Sequence, residues 1–104
     1  MKVLFISDSE KLEQDISLSL QVRWPELSLV QSNEAGESIS LIHREQPDMV
    51  VLHLDSATVD CFDLVTQIRS FSDVALIVLS QSSDVMDGVR ALEMGADDWI
   101  APSS

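Results

Sequence analysis

Five residues follow directly on short apolar stretches and carry side chains on which chemistry could be built. Ser7 and Asp8 follow the stretch 3–6, His53 and Asp55 close the stretch beginning at Met49, and Ser80 follows the stretch 74–79. Asp8 and Asp55 around the imidazole of His53 form a mixed oxygen and nitrogen donor set, a weak divalent-ion candidate that suits a transition metal better than magnesium. Asp55 is two residues past His53, so in an extended chain both side chains leave the same side. The plainer expectations are a solvated loop acid at Asp55 and, at His53, a ring fixed by Asp8 or another neighbour and filling the volume there. Cys61 is the single cysteine. That count excludes an internal disulfide framework and a cysteine-rich zinc site, and the residue is expected to be small filling, partly buried. His43 sits beside Arg44 near a helix end, where a cation suits the helix dipole, and is expected at the surface.

These side chains need elements to position them. The stretches 3–6, 49–52 and 74–79 are short, continuous and rich in β-branched residues, as in strands buried on both faces of a parallel sheet. Between them the apolar residues take helical spacing. Leu12, Ile16 and Leu20 recur every four residues, with Ser9 placed to cap and Glu10 and Glu13 in the first turn. Asn33 is placed to cap a second helix carrying Ala35, Ile39 and Ile42, which must stop before Pro47. Leu64, Val65, Ile68 and Phe71 mark a third, beginning after Asp60. Asp84 opens a fourth with Val85, Val89 and Leu92 on one face, and Gly95 is its stop. Leu27, Leu29 and Val30 alternate weakly after the Trp24-Pro25 turn, which fits an edge strand. Trp99, Ile100 and Ala101 form the last apolar run, closed by Pro102. The alternation β-α-β-α-β-α-β-α-β implies a doubly wound α/β sheet with right-handed crossovers. In such a sheet the ligand crevice lies beyond the carboxyl ends of the strands, where Ser7, Asp8, His53, Asp55, Ser80 and Pro102 fall.

The 104 residues suit one domain with one core, and 45% of them are hydrophobic. Asp plus Glu number 18 against 6 Lys plus Arg, a formal charge of −12. Such a surface repels the phosphates of nucleic acid and the anionic face of a membrane, so neither is an expected direct partner of this segment. No apolar run reaches membrane-spanning length, and the start turns acidic too soon for a signal peptide, so the expected compartment is cytoplasmic. A doubly wound sheet needs another helix after its fifth strand. The expectation is therefore a C-terminally truncated unit, 1–104, whose last helix is missing, or a partner covering the open face.

The sequence resembles a receiver domain of bacterial two-component response regulators, from Lys2 to Pro102. The residues that carry the likeness are Pro47-Asp48-Met49-Val50-Val51-Leu52, Val74-Ala75-Leu76-Ile77-Val78-Leu79-Ser80, and Ala91-Leu92-Glu93-Met94-Gly95-Ala96-Asp97-Asp98-Trp99. The resemblance implies a flavodoxin-like five-stranded parallel sheet in the order 2-1-3-4-5. Active members have two acids after strand one, a phosphate-accepting Asp ending strand three, a Ser or Thr after strand four, and a Lys followed by Pro after strand five.

Placed on this sequence, only part of that machinery is present. The acid pair becomes Ser7 and Asp8, the acceptor position falls on His53, Ser80 matches the hydroxyl, and the Lys position is Pro102 or is deleted. Transfer of a phosphoryl group to a carboxylate needs an oxygen nucleophile, a magnesium ion and a cation that senses the product. Losing several parts that act as a unit removes such activity rather than weakening it. The expectation is an atypical, pseudo-receiver module that forms no ordinary aspartyl phosphate, is not an enzyme and needs no cofactor. Two alternatives stay open: a phosphorelay receiver modified at a non-standard residue, His53 or Asp55, and a metal or small-ligand sensor using the vacant acidic pocket. By the same resemblance, Trp99 takes the place of an aromatic that changes rotamer on phosphorylation, and is expected here as a fixed packing or interface residue. Homodimerisation is expected through the fourth helix and fifth strand, a face holding Arg90, Glu93, Asp97, Asp98 and Trp99. A DNA-binding domain, as in winged-helix transcription factors, is the expected C-terminal neighbour.

Overall fold

The computed structural model describes residues 1–7, 10–53, 60–80 and 85–100. Five strands, β1 (Lys2–Ile6), β2 (Ser28–Ser32), β3 (Met49–His53), β4 (Ala75–Leu79) and β5 (Asp98–Ile100), alternate with α1 (Glu10–Arg23), α2 (Ala35–Glu45), α3 (Cys61–Arg69) and α4 (Val85–Met94). All strand pairs are parallel, in the order β2-β1-β3-β4-β5. This is the doubly wound sheet that the alternating pattern implies, in the flavodoxin-like order that the resemblance implies. The weakly patterned β2 and the three-residue β5 form its edges, where one side needs no ladder partner.

Strand alternation divides the core in two. On one face Leu4, Ile6, Val50, Leu52, Leu76 and Val78 pack against α2, α3 and α4. On the other Val3, Phe5 and Val51 pack with Leu27 and with Ile16 and Leu20 of α1. That second face is only partly covered. Ile77 and Leu79 belong to an interior strand yet stay half-buried, and a cavity of about 120 Å³ opens among Ile16, Leu20, Val51, Ile77, Leu79 and Ile100.

Three local expectations are corrected. The cap position of α2 is Glu34, one residue later than Asn33, and it makes no side-chain cap hydrogen bond. Phe71 lies beyond α3 in a turn, where its ring stacks on His43 with centroids 4.3 Å apart. On α4, Gly88 and Ala91 face the sheet, while Val89 and Leu92 are 38% and 44% exposed. The indole of Trp99 lies directly over Gly88, so the helix rests on its smallest residues and turns its larger apolar ones outward.

Other signals are met as read. Asp60 caps α3 by accepting from the backbone N–H of Asp63 at 3.2 Å. Gly95 ends α4 in the left-handed region at φ 126, and Ala96 N–H donates to Ala91 O while Gly95 N–H donates to Leu92 O. That pair of bonds is a Schellman closure, which glycine permits without a Cβ penalty. Ser9 and Asp84, the other two predicted caps, lie outside the described residues. No helix among the described residues is long and apolar enough to cross a membrane.

Candidate functional site

The register of β1 on β3 pairs Ile6 with Leu52, which sets the next two residues, Ser7 and His53, side by side. Both are buried, at 0% and 4% exposure. A hydrogen bond of 2.9 Å joins Ser7 Oγ to His53 Nδ1. The hydroxyl donates when that nitrogen is bare and accepts when it carries the proton. Strand alternation puts both side chains on the α1 face, with Phe5 and Val51 beneath them. Ser7 is held further by its backbone N–H, which donates to Ser32 O at 2.9 Å.

Ser80, also buried, follows β4, and its N–H donates to Ile100 O at 2.9 Å. Two residues past Val78, it belongs to the opposite face of the sheet. Trp99 pairs in register with Val78 and so shares that face. Asp8, Asp55 and Pro102 lie outside the described residues. The described residues at this end do not fit a magnesium ion, which takes hard oxygen donors: His53 offers nitrogen, and the Ser7 hydroxyl is bonded to that ring. Among the described residues no group of three His, Cys, Asp or Glu side chains could hold a metal.

The five residues expected on the α4–β5 face are differently employed. Asp97 is tied into the chain: its Oδ2 accepts from Arg69 Nη2 at 2.9 Å and from Leu76 N–H at 2.8 Å. Arg90 turns toward α3, with its guanidinium carbon 4.1 Å from the centroid of the Phe62 ring. Asp98 takes its following N–H, from Trp99, at 2.8 Å. Trp99 is half-buried against Gly88. Glu93 is exposed, beside the exposed Val89 and Leu92.

A family model described as the response regulator receiver domain matches residues 3–102 of this chain. The chain belongs to the response regulator receiver domain family. Over 99 residues it is 34% identical to a probable transcriptional regulator, ycf27, of Guillardia theta, covering 95% of this chain and 38% of that protein. Over 98 residues it is 30% identical to the transcriptional regulatory protein AfsQ1 of Streptomyces coelicolor, covering 94% of this chain and 43% of that one. The receiver domain thus spans about two fifths of the length of the curated relatives it matches. Its fold superposes on the BeF3-activated N-terminal receiver domain of Klebsiella pneumoniae RstA with a TM-score of 0.89 at 24% identity, covering all of this chain and 87% of that one.

Two residues that shape this receiver domain escaped the reading of its sequence. Gly88 carried a signal: a glycine inside a helix costs about 1 kcal/mol against alanine, so it calls for a packing reason, and Trp99 supplies one. Arg69 carried none, because its partners lie on other elements. Its Nε donates to Gly95 O at 2.7 Å and its Nη1 to Val74 O at 2.6 Å and Ser72 O at 3.3 Å. Away from the Ser7–His53 end, a cavity of about 440 Å³ opens before β3 and β4 beside Asp48, Val74 and the His43–Phe71 stack. Nearby, the ammonium of Lys2 donates to Glu45 Oε2 at 3.0 Å. That hydrogen bond, with the charge of Lys2, holds the Glu45 carboxyl below the ordinary carboxylate range.

Proposed function

We propose that this receiver domain is an atypical, phosphorylation-independent signalling and dimerisation module, and that the protein it serves is a transcriptional regulator. The observation that carries the reading is the buried Ser7–His53 hydrogen bond. At the positions where the resemblance puts a metal-binding acid and the phosphate-accepting carboxylate, a hydroxyl and an imidazole are hydrogen-bonded to one another. Phosphoryl transfer to a carboxylate needs an oxygen nucleophile with a metal beside it, and an imidazole bonded to a serine replaces the first and gives no carboxylate for the second. The module then performs no reaction of its own and needs no cofactor.

Its output runs through association. The exposed Val89 and Leu92 of α4, with the exposed Glu93 on the same helix and Trp99 beneath, make an apolar strip with an acidic edge, and with the exposed Asp98 of β5 this suits a symmetric contact between two copies. Arg90 and Asp97 contribute by holding α4 and β5 in place, since both are engaged within the chain. The half-covered apolar face beside α1 fits a further helix packed across β4 and β5, supplied by a longer protein. DNA contact belongs to a separate domain, of winged-helix type, because a formal charge of −12 repels phosphates from this one. Support for a regulator of transcription comes from the relatives named as such.

The test is light scattering with and without magnesium and a small phosphodonor. The reading expects twice the chain mass under both conditions, and the monomer mass for Leu92→Glu. A mass that doubles only with the phosphodonor contradicts it. Charge reversal at Asp97 is a poor probe, because it also breaks the bonds to Arg69 and Leu76.

A further inference from the structure

We propose that Gly88 is the positioning residue that keeps the half-buried indole of Trp99 packed inward, so that packing on α4 sets the state of the α4–β5 face. The proposal deepens the reading of that face as an interaction surface and rests on it only for its consequence. A Cβ at position 88 would lie 2.1 Å from both Cδ2 and Cε3 of Trp99 and 2.6 Å from Cε2. No rotation of a side chain at 88 relieves such a contact, because the clash begins at the first carbon. The indole therefore occupies the space that the missing Cβ leaves.

Among the described residues no hydrogen bond holds the ring there. Trp99 Nε1 is buried and finds no acceptor among the described residues. A buried donor without an acceptor opposes the buried position, and the donor would regain water if the ring swung outward. Contact with the bare backbone of Gly88 has to outweigh that loss. Nor can the ring move deeper, since Val78 and Ala91 are fully buried and the interior is close-packed. Any side chain at 88 consequently drives the indole toward solvent, onto the strip that carries Val89 and Leu92. Trp99 shares its sheet face with Ser80, yet its position follows from α4.

The test uses Trp24→Phe as background, leaving Trp99 the only tryptophan; Trp24 is half-exposed at the far end of α1. With Gly88 in place, emission is expected to be blue-shifted and weakly quenched by acrylamide. In Gly88→Ala, emission is expected to move to the red and the quenching constant to rise several-fold. Unchanged emission and quenching in Gly88→Ala overturn the proposal. A second comparison covers the case in which that variant folds poorly. Alanine is the better helix former, so with the indole cut away in Trp99→Leu, Gly88→Ala is expected to raise the melting temperature or leave it unchanged. With Trp99 present, the same substitution is expected to lower it. An equal loss in both backgrounds overturns the proposal. Fluorescence reads the position of Trp99 whatever the mass in light scattering, so a monomeric protein removes the dimer reading and leaves this one to its own result.

Discussion

Replacing Arg69 by alanine is expected to be the most damaging substitution of a charged residue in the described structure. The Arg69 side chain is 19% exposed, and its guanidinium ties three segments together: the turn after α3, the start of β4, and the loop between α4 and β5. Its bonds at 2.7 Å to Gly95 O and 2.6 Å to Val74 O are charge-assisted and part-buried, worth about 1 to 1.5 kcal/mol each after the exchange with water. The 3.3 Å bond to Ser72 O adds little. The ion pair with Asp97 is discounted, because Asp97 is 59% exposed, and contributes about 0.5 kcal/mol. The expected loss is thus about 3 kcal/mol, a large part of the roughly 5 to 15 kcal/mol that holds a domain of this size. For a domain near 100 residues that lowers the melting temperature by about 12 to 20 °C. Urea unfolding followed by far-ultraviolet circular dichroism measures it, with an unchanged slope showing that only stability moved. Arg69→Lys keeps the charge without the fork and should recover about a third of the loss. Asp97→Asn leaves an oxygen to accept from Leu76 N–H and should cost under about 1 kcal/mol. A loss below about 1 kcal/mol for Arg69→Ala refutes the clamp.

Three smaller perturbations test other parts of the account. Ser7→Ala removes the hydroxyl bonded to His53 and is expected to cost about 1 kcal/mol in urea unfolding; no loss would mean that the bond does not hold this end of the sheet. Glu45→Gln removes a carboxylate whose folded pKa is depressed by Lys2, so its contribution is present above the unfolded carboxylate range and lost as pH falls through the lower folded value. The difference in melting temperature between the two proteins should therefore be small and positive at neutral pH and vanish in acid, and a difference independent of pH contradicts the pairing. Phe62→Leu keeps most of the apolar volume but removes the ring under Arg90, with an expected cost of about 0.5 to 1 kcal/mol that disappears in an Arg90→Ala background.

Much of the frame was legible because it depends on local pattern. Short β-branched stretches suited buried strands, and Asp60 and Gly95 mark a helix start and stop by their own chemistry. The Ser7–His53 contact spans 46 positions in sequence, yet it follows once both residues are seen to end neighbouring parallel strands. Side-chain direction was harder. Val89 and Leu92 have the spacing of a core face, but the outcome was decided by the bulk of Trp99 on another element, which admits Gly88 and Ala91 and turns the larger residues out. Phe71 continued the period of α3, although the chain had already turned to place its ring on His43. The bonds of Arg69 had no local signature at all, since Gly95 and Asp97 are 26 and 28 residues away and reach it only when β4 and β5 pair.

The buried hydroxyl and imidazole at the ends of β1 and β3 are proposed to leave this receiver domain taking no phosphoryl group, at His53, at Asp55 or elsewhere. The decisive measurement is intact mass spectrometry after incubation with magnesium and a small phosphodonor, with a phosphorylatable receiver domain treated in parallel. The expected result is an unchanged mass for this protein while the control gains one phosphoryl group. A gain of one phosphoryl group by this protein, lost in His53→Ala or in a variant of Asp55, would contradict it.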